Sequence, residues 1–219
     1  MAIELSNKPR ITFKCLSCGI CCTLSPITIL PHEAIILHRE AARLGIKLEL
    51  TEGYRIYDDV SDKNIVLSYA IKLSGNRRCP FLTRDNKCLV HNTYKPLTCR
   101  SFPYVPREIQ YYIDNSTRTI MHRSVYGIST ACMFVKNNAK LLEKELLEHG
   151  IAKIFPSEYK YAQEAERWRR WYMRTLTYLW RMGFVDLYSE PLEDARSVNA
   201  YVFIISKLII ARRTLTNRE

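Results

Sequence analysis

The residues of this chain best equipped for chemistry are its cysteines: Cys15, Cys18, Cys21, Cys22, Cys79, Cys88, Cys99 and Cys132. Seven of them fall in two tight groups within the first hundred residues. A chain of 219 residues can bury a hydrophobic core without cross-links, so clustering of this kind asks for a chemical reason. Thiolate is a soft ligand, and in the C-x2-C-x2-C run over residues 15–21 a tight turn can aim three sulfurs at one ion or cluster. Gly19 permits the close backbone approach that such a turn needs. The spacing also matches the first three ligands of a bacterial ferredoxin run, where the fourth cysteine comes after three more residues. Here Cys22 follows Cys21 directly, and neighbouring side chains of an extended chain point opposite ways, so the two are expected to serve different atoms.

The second group, CPFLTRDNKCLVHNTYKPLTCRSFP, holds Cys79, Cys88 and Cys99 in Pro-rich turns. Three ligands leave a four-coordinate site incomplete, and Cys22 or Cys132 would complete it. Eight cysteines divide evenly into two four-ligand centres. The expectation is that Cys15, Cys18 and Cys21 hold one centre with a remote partner. Cys79, Cys88 and Cys99 with another partner then hold a second, or complete the first. All eight are candidate metal ligands, and the cofactor is an iron–sulfur cluster of the 4Fe–4S kind or zinc, since sulfur-only ligation suits both. Arg77, Arg78 and Arg100 stand beside cysteines and are expected to donate to thiolate sulfur.

Other readings of the same residues are a structural zinc knot, disulfides, and a Cys88–His91 nucleophile pair. Disulfides are rare in a reducing cytosol except in hyperthermophiles, and abundant Ile, Tyr, Lys and Arg with only two glutamines hint at a thermophile. Three residues separate Cys88 from His91, compatible with contact in a turn, but the motif spacing makes coordination the simpler role and His91 a turn residue. His32, His38, His122 and His149 have no partners at metal-ligand spacing and are read as surface or satisfied residues.

The elements that must position these ligands are of mixed type. Residues 26–30 read as extended; Pro31 then opens a helix with Ala34, Leu37, Ala41 and Leu44 on one face and Gly45 as its stop. Residues 54–60 and 65–73 read as strands, and 107–114 with 117–124 as a hairpin. The long irregular stretch from Gly75 to Pro106 needs something to fix it, and ligation would do so. From residue 136 onward the periodicity is helical. Tyr161, Ala165, Trp168, Tyr172, Leu176 and Leu179 make one stripe, and Leu192, Ala195, Val198, Val202, Ile205 and Ile209 another on a last helix opened by Ser189 and Pro191. The predicted fold class is α+β: residues 1–135 a small cysteine-cluster metal-binding domain, residues 136–219 a three-helix C-terminal region packed on it.

The string F-x-C-x-x-C-G-x-C-C over residues 13–22, then C-P-F-L at 79–82, Cys88, the K-P-x-x-C-R-x-F-P block at 95–103 and a late cysteine resembles the YkgJ-type, or CxxCxxCC, cysteine-cluster family. The resemblance implies a zinc- or iron-chelating domain over roughly residues 11–135 and leaves the helical third outside it. A related pattern occurs in flagellin lysine N-methylases, which use S-adenosylmethionine. No G-x-G-x-x-G fingerprint is present, so no motif of this chain supports that activity; a protein-modifying enzyme of this kind stays an alternative reading, and catalytic residues stay unassigned.

The net charge of +11 (33 minus 22) favours nucleic acid, acidic proteins or a membrane surface as partners, although metal-bound thiolates would balance part of it. Arg167, Arg169, Arg170, Arg174 and Arg181, interleaved with Trp168, Trp171, Tyr172 and Trp180, offer a nucleic-acid-binding face. The simpler reading is a solvated arginine face over an aromatic core. The tail YVFIISKLIIA is too short to span a bilayer and is expected inside the bundle. With no apolar run at the N-terminus, a cytoplasmic protein is expected.

Overall fold

The computed structural model of the protein describes residues 8–24, 26–75 and 77–216. The opening residues, read above for a secretory signal, lie in part outside them. The architecture is α+β, built from three small sheets and a helical layer. One sheet joins β1 (Ile27–Ile29), β5 (Tyr69–Ile71) and β2 (Leu50–Glu52), all antiparallel. Helix α1 (Cys21–Leu24) precedes β1 and helix α2 (Pro31–Arg43) follows it. Pro31 sits at the first helical position, where its missing N–H is no loss, and Gly45 just past the end takes φ +65°. Ala34, Leu37 and Ala41 are buried, as their spacing predicts.

The second sheet pairs β3 (Arg55–Asp58) with β4 (Lys63–Val66), a hairpin whose residues Ile56 and Ile65 are fully buried. Its outer strands come from far along the chain: β8 (Leu187–Tyr188) runs antiparallel to β3, and β9 (Arg196–Asn199) parallel to β4. The predicted last helix therefore begins later, at Ala200, because residues 187–199 find sheet partners. Helix α3 (Leu97–Ser101) lies in the Pro-rich stretch and leads into the long hairpin β6 (Tyr104–Asp114) and β7 (Thr119–Ile128). Short helices α4 (Met133–Asn137), α5 (Ala139–His149) and α6 (Ile151–Ile154) follow, then α7 (Pro156–Arg181) and α8 (Ala200–Thr216).

The main core packs α7 and α8 on β3 and β4. Ala165, Tyr172, Leu176 and Leu179 are buried there, joined by Met173 and Trp180. On α8 the predicted stripe does not face the core: Val202, Ile205, Ile209 and Ile210 are exposed, while Ala200, Phe203, Ile204 and Ala211 are buried. The helix is apolar nearly all round, so spacing alone could not select its inner face. Among the described residues no helix is long and apolar enough to cross a membrane.

The arginine face is also divided. Arg167, Arg170 and Arg174 are exposed, but Arg169 is buried, 3 % exposed, and bound within the protein. Its Nη1 donates to Glu166 Oε1 at 2.6 Å and to the Tyr126 hydroxyl at 3.1 Å. Tyr126 donates to Glu166 Oε1 at 3.0 Å, and His122 Nε2 lies 2.8 Å from Glu166 Oε2. Burial works to raise the Glu166 carboxyl, but His122 and the Arg169 guanidinium outweigh it and hold it down to about 2. This network staples the β6–β7 hairpin to α7. Arg181 donates to the Thr117 carbonyl and Thr119 hydroxyl at the hairpin tip.

Candidate metal centre

The first cysteine group is shaped by two residues in the left-handed region, Ser17 at φ +50° and Gly19 at φ +73°. Ser17 turns the chain between Cys15 and Cys18 and Gly19 between Cys18 and Cys21, and the Cys22 and Thr23 amides then donate to the Gly19 and Ile20 carbonyls to start α1. A side chain at position 19 would put its Cβ 2.9 Å from Asn86 Cβ, so glycine is required both by φ and by the loop packed against it. That loop carries the second group. The Cys79 amide donates to the Cys22 carbonyl at 2.8 Å, tying the two groups together. Arg78 Nη2 donates to the Thr83 carbonyl and Asn86 Oδ1, both at 2.9 Å, and Leu82 bridges Cys88 across the loop.

Cys99 lies on α3, which a long-range carboxylate holds in place. Glu33, wholly buried on α2, accepts the Leu97 amide on Oε1 at 2.7 Å and the Leu30 amide on Oε2 at 2.9 Å. Burial raises its pKa against the pull of these two donors. Cys132 caps the start of α4, its amide donating to the Ser129 carbonyl.

All eight cysteines line one cavity of about 400 Å³. Its walls are largely apolar, with Phe13, Phe81, Phe102 and Phe134 among them, and Lys95 and His91 also border it. None of the eight is paired in a disulfide. Cys79 is buried, Cys15 and Cys18 are exposed, and the others lie between. The Cys21 and Cys22 sulfurs are 3.8 Å apart. Sequence reasoning separated them by assuming an extended chain; Cys21 instead opens a helical turn, where neighbouring side chains diverge by only about 100°.

The electrostatics divide the cysteines differently from the expected grouping. Burial pushes the Cys79 thiol up to about 11, and the neighbouring Cys88 and Cys21 charges add to the rise. Cys88 is raised by burial and by Cys21, and Cys99 by burial and by Cys79 and Cys21. Cys21 rises chiefly through its hydrogen bond with Cys22 and its burial. Cys132 is raised by burial and by Cys18 and Cys15. Cys21 thus sits among Cys79, Cys88 and Cys99, whereas Cys15 and Cys18 share their surroundings with Cys132.

Two of the three arginines expected beside sulfur, Arg78 and Arg100, are engaged elsewhere. Arg100 lies over the Tyr161 ring at 3.7 Å and donates to its hydroxyl, and Arg78 serves the loop described above. The cation that lowers Cys21, Cys88 and Cys99 is Lys95, which sequence reasoning noted only as part of a motif. Glu33 was missed as well. Its place three residues into α2 marks a helix start, but nothing local signals its bond to Leu97.

Thiols gathered round one largely apolar cavity are the soft donor set that suits zinc or iron, and the class they define is a cysteine-rich metal-binding domain. Residues 14–119 match the model of the CxxCxxCC family, described as "Putative zinc- or iron-chelating domain". The resemblance read from the motif is thereby shown for this segment, and the match supports binding of zinc or iron by it. The matched segment contains seven of the cysteines and stops short of Cys132. Comparison with curated proteins finds no match, and neither does comparison with solved structures.

Proposed function

We propose that the cavity holds iron–sulfur clusters, ligated in one group by Cys21, Cys79, Cys88 and Cys99 with Cys22 beside them, and in another by Cys15, Cys18 and Cys132. The observation that carries this reading is the spread of the sulfurs. Zinc held by four thiolates at about 2.3 Å brings each pair of sulfurs to roughly 3.8 Å. Among the described residues no three cysteine sulfurs lie within 4.8 Å of one another, although all eight border one cavity. Donors spread round a volume of this size suit a polynuclear core, in which sulfide bridges several irons and each thiolate binds its own metal atom. Lys95 supplies positive charge against the negative charge that such a core and its thiolates bring.

When bound, an iron–sulfur cluster supplies one-electron redox chemistry or a Lewis-acidic iron. The chain's own residues support the first stage of that role: they gather the thiols, border them with aromatic walls and set a cation beside them. Anaerobic purification followed by iron, sulfide and zinc analysis and a visible spectrum tests the reading. Iron and sulfide in equal amounts with a broad visible absorption are expected. A colourless protein with stoichiometric zinc overturns the cluster in favour of zinc, and an absence of both metals overturns metal ligation itself.

A further inference from the structure

A second group of ligand atoms stands apart from the cysteines, at the C-terminal end of α5. Glu145, Glu148 and His149 are spaced i, i+3 and i+4, which puts them on one face of the last turn. One oxygen of each carboxylate and one ring nitrogen of His149 lie within 4.8 Å of one another. His149 Nε2 is 3.5 Å from Glu145 Oε2. None of the three borders the cysteine cavity.

Two observations set this group apart from an ordinary acidic helix end. Glu145 is wholly buried, yet its Oε1 has no hydrogen-bond partner. Its Oε2 accepts the Arg10 amide at 2.8 Å, and the Arg10 guanidinium approaches Oε1 only to 3.9 Å. A buried carboxylate oxygen left in this state is costly, and a cation in contact with it would remove the cost. The position compounds the problem, because the helix dipole is negative at this end and favours positive charge, not two glutamates.

We propose that the end of α5 is a second metal site, taking a divalent transition-metal ion of the zinc class through Glu145, Glu148 and His149 with water completing its shell. Nitrogen and oxygen donors stand about 2.0–2.2 Å from such an ion, so the three must draw together by roughly 1 Å. Exposed Glu148 and half-buried His149 can do this by rotamer adjustment. The contacts displaced are weak: Lys144 to Glu148 at 3.8 Å between exposed side chains, and the Arg10 side chain, 74 % exposed. An imidazole with only two carboxylates is a poor set for calcium, which takes six or more oxygens.

Cobalt(II) titrated into the full chain, with its cysteine centre already loaded, tests the site. Cobalt on thiolate gives an intense sulfur-to-metal charge-transfer absorption, whereas cobalt on carboxylate and imidazole gives only weak bands. One equivalent is expected to bind with weak bands alone. His149→Ala and Glu148→Gln should each weaken it by at least the roughly tenfold to hundredfold that losing even an outer-shell partner costs. Both positions are exposed or half-buried, so these variants decide the matter even if Glu145→Gln does not fold. No cobalt beyond the thiolate-bound fraction, or equal binding by wild type and both variants, overturns the proposal.

Discussion

Two buried polar regions of this protein solve the same problem in opposite ways. Between the β6–β7 hairpin and α7, Glu166, Arg169, Tyr126 and His122 satisfy one another within hydrogen-bonding distance. In the cysteine cavity, Cys79, Cys88 and Cys99 are pushed toward their neutral forms, and Lys95 only partly offsets this at Cys88 and Cys99. The first region is complete as the chain folds. On the reading proposed above, the second is completed by metal and its stability is conditional on it.

Removing the metal draws the sharpest line between them. Anaerobic chelation should unfold residues 79–101 locally, since structural metal binding by thiolates is worth on the order of 10 kcal/mol. Hydrogen exchange should then show lost protection across that loop and retained protection over residues 162–180. Equal loss in both segments would merge the two regions into one cooperative unit. Arg169→Ala works from the other side. It leaves the half-buried Glu166 with only His122 and Tyr126 and should destabilise the metal-loaded protein by roughly 2–3 kcal/mol in denaturant unfolding, with metal content unchanged.

The pH response separates apo from loaded protein. The Cys79 thiol lies above its ordinary 9.0, at about 11, so folding favours its protonated form and the benefit fades as pH rises through that window. Apo protein should lose about 2 kcal/mol relative to Cys79→Ser between those values, and loaded protein should not, because metal has already taken the proton's place. Glu33→Gln has the smallest expected effect. It keeps one of the two buried acceptors that hold Leu30 and Leu97, costs about 1–2 kcal/mol, and should speed metal loss to a chelator by loosening the helix that carries Cys99.

What the sequence revealed follows the range of each interaction. The C-x2-C-x2-C-C run, the helix opened by Pro31 and stopped before Gly45, and the long hairpin rest on neighbours in the chain, and they are legible in it. Arg169 sits in a run of exposed arginines and is distinguished from them only by Glu166 and Tyr126 closing on it in the fold. The proposed grouping of Cys21 with Cys79, Cys88 and Cys99 depends on two loops meeting at Gly19 and Asn86, a contact with no local signature. The inner face of α8 was illegible for a different reason: an all-round apolar helix offers several equivalent stripes. His149 is read from the sequence as a surface or satisfied residue without partners at metal-ligand spacing, although Glu145 stands four residues before it.

The seating of β8 and β9 on the two edges of the β3–β4 hairpin has a consequence for biosynthesis. Asn64 pairs with Ser197, and Asp58 with Leu187. A ribosome-bound chain that has not yet reached residue 187 already carries every cysteine, while both edges of that hairpin remain open to any passing strand. Metal binding at those cysteines can therefore precede closure of the sheet, and a stalled or truncated chain would present its thiols on an aggregation-prone scaffold.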